Sequence, residues 1–217
     1  MSTIWIIREP RSGSTWFTHH VIKQLEFDHC FIGRDLVGLP SDGSNLEFDS
    51  KLALNEINKF STTNTIFSTH FFTMMHLMDR FEDPIIIRCS RRNTLEQFLS
   101  YCLVKSTNNR FTNITADDHQ EVFDNLVESS RLLIPKKDLA EYVRIKRRNE
   151  SIWDEFAPKF KNFTVYYEDL CEIGVDIPLL NMYNCKIEDN GFTQKLPDYK
   201  TKVFLNYDMI QKWISEY

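Results

Sequence analysis

Three observations predict an α/β chain, a single domain with a central parallel β-sheet of four to five strands flanked by helices. Apolar runs of strand length recur at Ile4-Trp5-Ile6-Ile7, Thr65-Ile66-Phe67, Ile85-Ile86-Ile87 and Phe163-Thr164-Val165-Tyr166. Stretches with helical apolar spacing fill the intervals between them. The first run breaks into a small, hydroxyl-rich turn, Pro10-Arg11-Ser12-Gly13-Ser14-Thr15, just ahead of one such stretch. Strands alternating with helices imply crossover connections and a parallel sheet. Runs without polar alternation imply strands covered on both faces.

Taken in order, the first strand spans 3–8. A helix over 15–27 follows, with Phe17, Val21 and Leu25 four residues apart on one face. Residues 28–49 read as a long loop holding Gly33, Gly38, Pro40 and Gly43, and long loops in small domains are usually functional. A helix at 50–60 leads to a strand at 65–69, and a helix at 72–80 to a strand at 84–89. The next helix, 93–106, begins with Asn93 as N-cap and Glu96 three residues on, a capping-box pattern. Its apolar face is Leu95, Phe98, Leu99, Cys102 and Leu103. Helices over 117–131 and 138–160 precede the last strand, 163–167. No repeat or linker interrupts the chain, so 1–217 reads as one domain.

The composition supports a globular protein: 217 residues, 42% of them apolar, with 17 Phe and only 6 Gly. A net charge of −5 argues against a dedicated nucleic-acid binder. The 5 cysteines are odd in number and scattered, with no C-x-x-C pair, as in a reduced, cytoplasmic protein. No signal peptide and no membrane-spanning apolar run are evident, so no membrane partner is expected. The sequons at Asn113, Asn149 and Asn162 then read as chance matches.

A strand, a Gly/Ser turn and a helix start together form an anion cradle, because free N–H groups and the positive end of the helix dipole converge there. Arg11 and the hydroxyls of Ser12, Ser14 and Thr15 add donors. The turn is not the ATP/GTP loop G-x-x-x-x-G-K-[ST], since Ser14 follows Gly13 and position 8 is Arg. In open α/β sheets ligands bind beyond the carboxyl ends of the strands. The other strands end at Ser68-Thr69-His70, at Ser90-Arg91-Arg92 and at Tyr167-Glu168-Asp169. His70 can serve as a general base near neutral pH. Ser100 lies eight residues after Arg92, roughly 12 Å along a helix, within reach of a folded-back arginine.

In combination these segments resemble the sulfotransferases that use 3′-phosphoadenosine 5′-phosphosulfate (PAPS). Pro10-Arg11-Ser12-Gly13-Ser14-Thr15-Trp16 resembles the family's 5′-phosphosulfate loop. Thr69-His70 is similar to the T-H carrying the base in the cytosolic branch. Arg92-Asn93 with Ser100-Tyr101 resembles the 3′-phosphate motif, and Tyr166-Tyr167-Glu168-Asp169-Leu170 the Y-E-D-L segment. Arg11 stands where cytosolic members carry Lys, and the C-terminal R-K-G-x-x-G-D-W-K segment is absent.

The resemblance implies a P-loop-like sulfotransferase fold and transfer of a sulfuryl group from PAPS to a hydroxyl or amine, releasing the bisphosphate PAP. Arg11, Ser12, Gly13, Ser14 and Thr15 would hold the 5′-phosphosulfate, and Arg11 would neutralise the departing phosphate. Arg92 and Ser100 would grip the 3′-phosphate, Trp16 and Tyr167 would flank the adenine, and His70 would take the acceptor's proton. Asp35 and Glu47 are the alternative bases, and Lys195, Lys200 or Lys202 could cover the 3′-phosphate. No metal is required, because Arg11 and the loop supply the positive field. The acceptor is a small molecule or carbohydrate, its pocket shaped by 28–49 and by the helical region 105–150.

Two other readings stand beside this one. A nucleoside or nucleotide kinase would need the loop lysine and an acidic Mg²⁺ site, which are not evident. A regulatory protein could keep the nucleotide cradle without turnover. His19 and His20, adjacent on a helix, point in different directions and do not share a metal, and His76 with Asp79 lacks a third ligand. The basic cluster Arg144, Lys146, Arg147, Arg148 reads as a solvated helix face balanced by Glu141 and Glu150. Trp153, Phe156 and Phe160 read as core.

Overall fold

Five short apolar segments supply the strands: β1 Thr3–Arg8, β2 His29–Ile32, β3 Thr65–His70, β4 Ile85–Ser90 and β5 Lys161–Tyr166. They pair side by side in the order β2-β3-β1-β4-β5, every pairing parallel. The computed structural model describes residues 3–14, 17–18, 27, 29–32, 55, 58–59, 65–70, 83–106, 131–171 and 200–217. The helices are α1 Thr94–Ser106, α2 Lys136–Phe156, α3 Tyr167–Leu170, α4 Lys200–Val203 and α5 Tyr207–Ile214. An α/β class with a parallel sheet is therefore present.

β2 lies within 28–49, which the glycines and Pro40 mark as loop. His-Cys-Phe-Ile is too short to carry a periodic signal, and it forms a strand by pairing with β3 along the sheet edge. β5 begins two residues earlier than its apolar run, and Tyr167 opens α3 instead of closing the strand. The helix read as 138–160 stops at Phe156, and Ala157–Lys159 forms a 3₁₀ turn containing Pro158. Proline removes an N–H and crowds the preceding turn, so the α-helix ends there. The segments 72–80 and 117–130 lie outside the described residues. Of 15–27 only Phe17, Thr18 and Phe27 are described, and of 50–60 only Asn55, Asn58 and Lys59.

Cα packing divides the chain into two compact units, Met1–Arg92 with Ile152–Glu188, and Asn93–Ser151 with Asp189–Tyr217. In the first, strand alternation sends Ile4, Ile6, Ile66, Ile85, Ile87 and Val165 to one face, where Phe17 and Leu170 complete a buried cluster. On the other face Trp5 stacks on its register partner Phe67, ring centroids 4.7 Å apart. In the second unit Phe98, Leu99 and Leu103 of α1 pack with Leu139, Val143, Phe204 and Ile210. Asn206 tethers that cluster: its Oδ1 accepts the Ile134 N–H at 3.1 Å and its Nδ2 donates to the Ile134 carbonyl at 2.7 Å. The α1 N-cap forms as the spacing indicates, with Asn93 Oδ1 accepting the Glu96 N–H at 3.0 Å.

β1 is central, and the chain leaves it toward β2, whereas it leaves β4 toward β5. The carboxyl ends of β1 and β4 are hydrogen-bonded neighbours in the sheet. Such a divergence of connections opens the crevice in which open α/β sheets hold ligands.

Candidate anion-binding site at the carboxyl edge of the sheet

At this edge the first unit gathers the turn after β1, the end of β4 and the start of α3. Glu9, the first residue past β1, anchors the turn. Its carboxylate accepts from Arg88 Nε at 2.6 Å and from Ser90 Oγ at 2.8 Å, and it also forms an ion pair with Arg88 Nη2. Both charged side chains are nearly enclosed, 9% exposed for Arg88 and 13% for Glu9. Trp153 lies under the Arg88 guanidinium at 5.5 Å and is itself buried. The Glu9 carbonyl accepts both donors of Ser12, the N–H at 3.3 Å and the hydroxyl at 2.7 Å. Ser12, expected to meet the anion, thus turns inward and shapes the loop.

The turn itself carries unusual backbone. Arg11 sits at φ 60° and Gly13 at φ 73°. The left-handed region costs a non-glycine residue of order 1 kcal/mol, and such strain concentrates at functional sites. Helical hydrogen bonding begins immediately after: the Phe17 N–H donates to the Gly13 carbonyl at 2.9 Å and Thr18 Oγ1 to the Ser14 carbonyl at 2.7 Å. Ser14 is buried at this start. Thr15 and Trp16 lie outside the described residues.

Tyr167 closes on the loop from the β5 side. A Cβ placed on Gly13 would stand 2.8 Å from Tyr167 Cδ2, so position 13 needs glycine for space as well as for φ. The Arg91 guanidinium lies over the Tyr167 ring, 4.3 Å from its centroid. Burial pushes the Tyr167 phenol up to about 12, with Cys171 reinforcing the shift and the nearby Arg91 and Arg11 cations opposing it.

Arginines and carboxylates then alternate across the gap between β4 and α3. Arg92 donates Nη1 to Asp169 Oδ1 at 2.5 Å and Nη2 to Asp169 Oδ2 at 2.8 Å, and its backbone N–H donates to Glu168 Oε2 at 3.1 Å. The Arg92 guanidinium also covers the Tyr166 ring at 4.0 Å. The hydrogen bond to Asp169 raises the Arg92 pKa further. Arg91 Nε lies 3.8 Å from Glu168 Oε1.

Of the residues expected from sequence, Arg11, Ser12, Gly13, Ser14, Arg92 and Tyr167 are at this edge. His70 ends β3 in register with Arg8, while its side chain lies outside the described residues. Ser100 is on α1 in the second unit, part-buried. In that unit Lys200 pairs with Glu96, and Lys202 is exposed. Arg144 pairs with Glu141, Oε1 to Nη2 at 2.6 Å, on an exposed helix face. Asp35, Glu47 and Lys195 lie outside the described residues. Glu9 and Asp169 have structural roles that sequence reasoning missed. The signal for Glu9 was Arg88, a lone charge in an otherwise apolar strand that had to find a counter-ion.

No family model matches the chain, and neither does any curated protein or solved structure. Among the described residues, no helix is long and apolar enough to cross a membrane.

Two substitutions test this geometry. Glu9→Gln should lose about 3 kcal/mol of stability in urea titrations, because Arg88 is left enclosed without its counter-charge. Adding Arg88→Met should return part of the loss, and an unchanged midpoint for the single variant would contradict the anchoring role. Gly13→Ala should cost about 1–3 kcal/mol from backbone strain and the clash with Tyr167. Tyr167→Ala in that background should relieve only the clash, so the two effects should be non-additive in a double-mutant cycle.

Proposed function

We propose that the protein is a PAPS-dependent sulfotransferase acting on a small-molecule or carbohydrate hydroxyl or amine. The observation that carries the reading is the contact of Tyr167 with Gly13. It joins the Y-E-D-L-like segment to the P-R-S-G-S-T-W-like turn at the sheet's carboxyl edge, with Arg91 on the same ring. Two sequence segments more than a hundred residues apart, each resembling part of one nucleotide site, meet in the fold.

The donor set suits such a ligand. Arg11 and the helix start at Ser14 offer a cation and backbone donors for one anionic end. Arg92 offers a second cation beyond β4: Asp169 occupies its two Nη groups end-on, leaving the Nε–H edge for another oxyanion. PAPS supplies the activated sulfuryl group. In the transfer, an acceptor oxygen or nitrogen forms a bond to sulfur as the bond from sulfur to the bridging oxygen breaks. The acceptor's proton passes to His70, and Arg11 stabilises the charge left on the phosphate. Arginine holds a fixed charge at ordinary pH, so Arg11 serves electrostatically and not as a proton carrier. Positioning and preorganised charge supply most of the acceleration in chemistry of this kind.

Transfer of ³⁵S from labelled PAPS to a panel of phenols, sugars and amines tests the reading. Wild-type protein should label at least one acceptor class, and His70→Ala should reduce that turnover by about 10²–10⁴-fold with donor binding retained. Binding of PAPS without labelling of any acceptor would instead favour the non-catalytic nucleotide-binding reading.

A further inference from the structure

Four arginines cluster at the carboxyl ends of β1 and β4, and three of them have carboxylates. Arg88 has Glu9, Arg91 has Glu168 and Arg92 has Asp169. Arg8, the last residue of β1, has none among the described residues. Its Nε and Nη2 are enclosed and lack a hydrogen-bond partner there. In the sheet it stands between Cys89 of β4 and His70 of β3. Ser68, two residues before His70 on β3, is 1% exposed, and its Oγ also lacks a partner among the described residues. Parallel register puts Ser68 diagonal to Arg8, so two unsatisfied polar groups sit on adjacent strands at one end of the sheet.

A guanidinium with two enclosed nitrogens and no counter-ion among the described residues is costly, and burial lowers the Arg8 pKa accordingly. A buried polar group without a partner calls for an explanation, and a functional ligand is one. The neighbouring Arg88 and Ser90, by contrast, both reach Glu9.

We infer that Arg8 is an oxyanion-binding residue of this site, and that a tetrahedral phosphate or sulfuryl group of the bound molecule takes its two enclosed N–H positions. The inference rests on the anionic part of the proposed function and not on the nucleotide. Arg8 then trades stability of the empty protein for affinity, as functional residues that break local rules often do.

Thermal melting of the full chain with inorganic sulfate, at ionic strength matched with chloride, reads both sides of this trade. Arg8→Met should raise the melting temperature of the ligand-free protein and weaken the saturable sulfate-dependent shift by about tenfold or more, while Arg8→Lys should retain part of that shift. A lower melting temperature for ligand-free Arg8→Met, an undiminished sulfate shift in that variant, or a wild-type protein indifferent to both sulfate and phosphate would each overturn the inference. Should Arg8→Met fail to fold, an Arg8→Lys protein that binds sulfate as tightly as wild type would also overturn it. Adenosine 3′,5′-bisphosphate separates the sources. Loss of its binding along with sulfate assigns Arg8 to the nucleotide's 5′-phosphate, and loss of sulfate alone assigns it to the sulfuryl or to an oxyanion on the acceptor. An Arg8-dependent sulfate shift in a protein that ignores the bisphosphate keeps this inference and removes the nucleotide reading.

Discussion

The buried ion pair of Glu9 with Arg88 is the constraint on which the edge of the sheet depends. One carboxylate ties the end of β1 to β4 through Arg88 and Ser90, while the carbonyl of the same residue gathers both donors of Ser12. The turn that follows has a left-handed arginine and a left-handed glycine, which a free peptide would not hold. Charge burial of this kind contributes little net stability over an apolar alternative, but removing one partner is costly. Its consequence here is geometric: the strained turn leaves β1 in one direction only.

From that fixed turn the remaining contacts follow in sequence. Tyr167 fits against the side-chain-free Gly13, Arg91 covers the Tyr167 ring, and Glu168 and Asp169 hold the two arginines that follow β4. Each cation is thereby oriented by protein contacts alone, a preorganisation that would lower the cost of binding the proposed anion. Arg92 is the most exposed of them, its side chain 52% exposed, and its fork is shared between Asp169 and solvent. The energetic weight of that surface pair is small, so its value is orientation.

Much of this was legible in the chain. β1 and β4 announce themselves as unbroken apolar runs, the Asn93 cap forms as its spacing indicates, and the P-R-S-G-S turn stands at the end of the central strand. The legible features are local, because periodicity and capping act over a few residues. What escaped notice is long-range or short. β2 is four residues in a stretch dense with glycine, made a strand only by its neighbour. Glu9 finds Arg88 across 79 positions, and Arg92 finds Asp169 across 77. In the sequence Arg8 stands out only as a departure from the ATP-loop pattern, whereas its lack of a partner among the described residues is a property of the folded sheet.

The central claim is that this edge receives a nucleotide charged at both its 3′ and 5′ positions. Isothermal titration of the wild-type protein with adenosine 3′,5′-bisphosphate, adenosine 5′-monophosphate and ATP–Mg²⁺ tests it most directly. The account predicts that the bisphosphate binds at least about tenfold more tightly than the monophosphate, a difference of about 1.4 kcal/mol, and more tightly than ATP–Mg²⁺. Equal affinity for the two adenosine phosphates, or a preference for ATP–Mg²⁺, would contradict it.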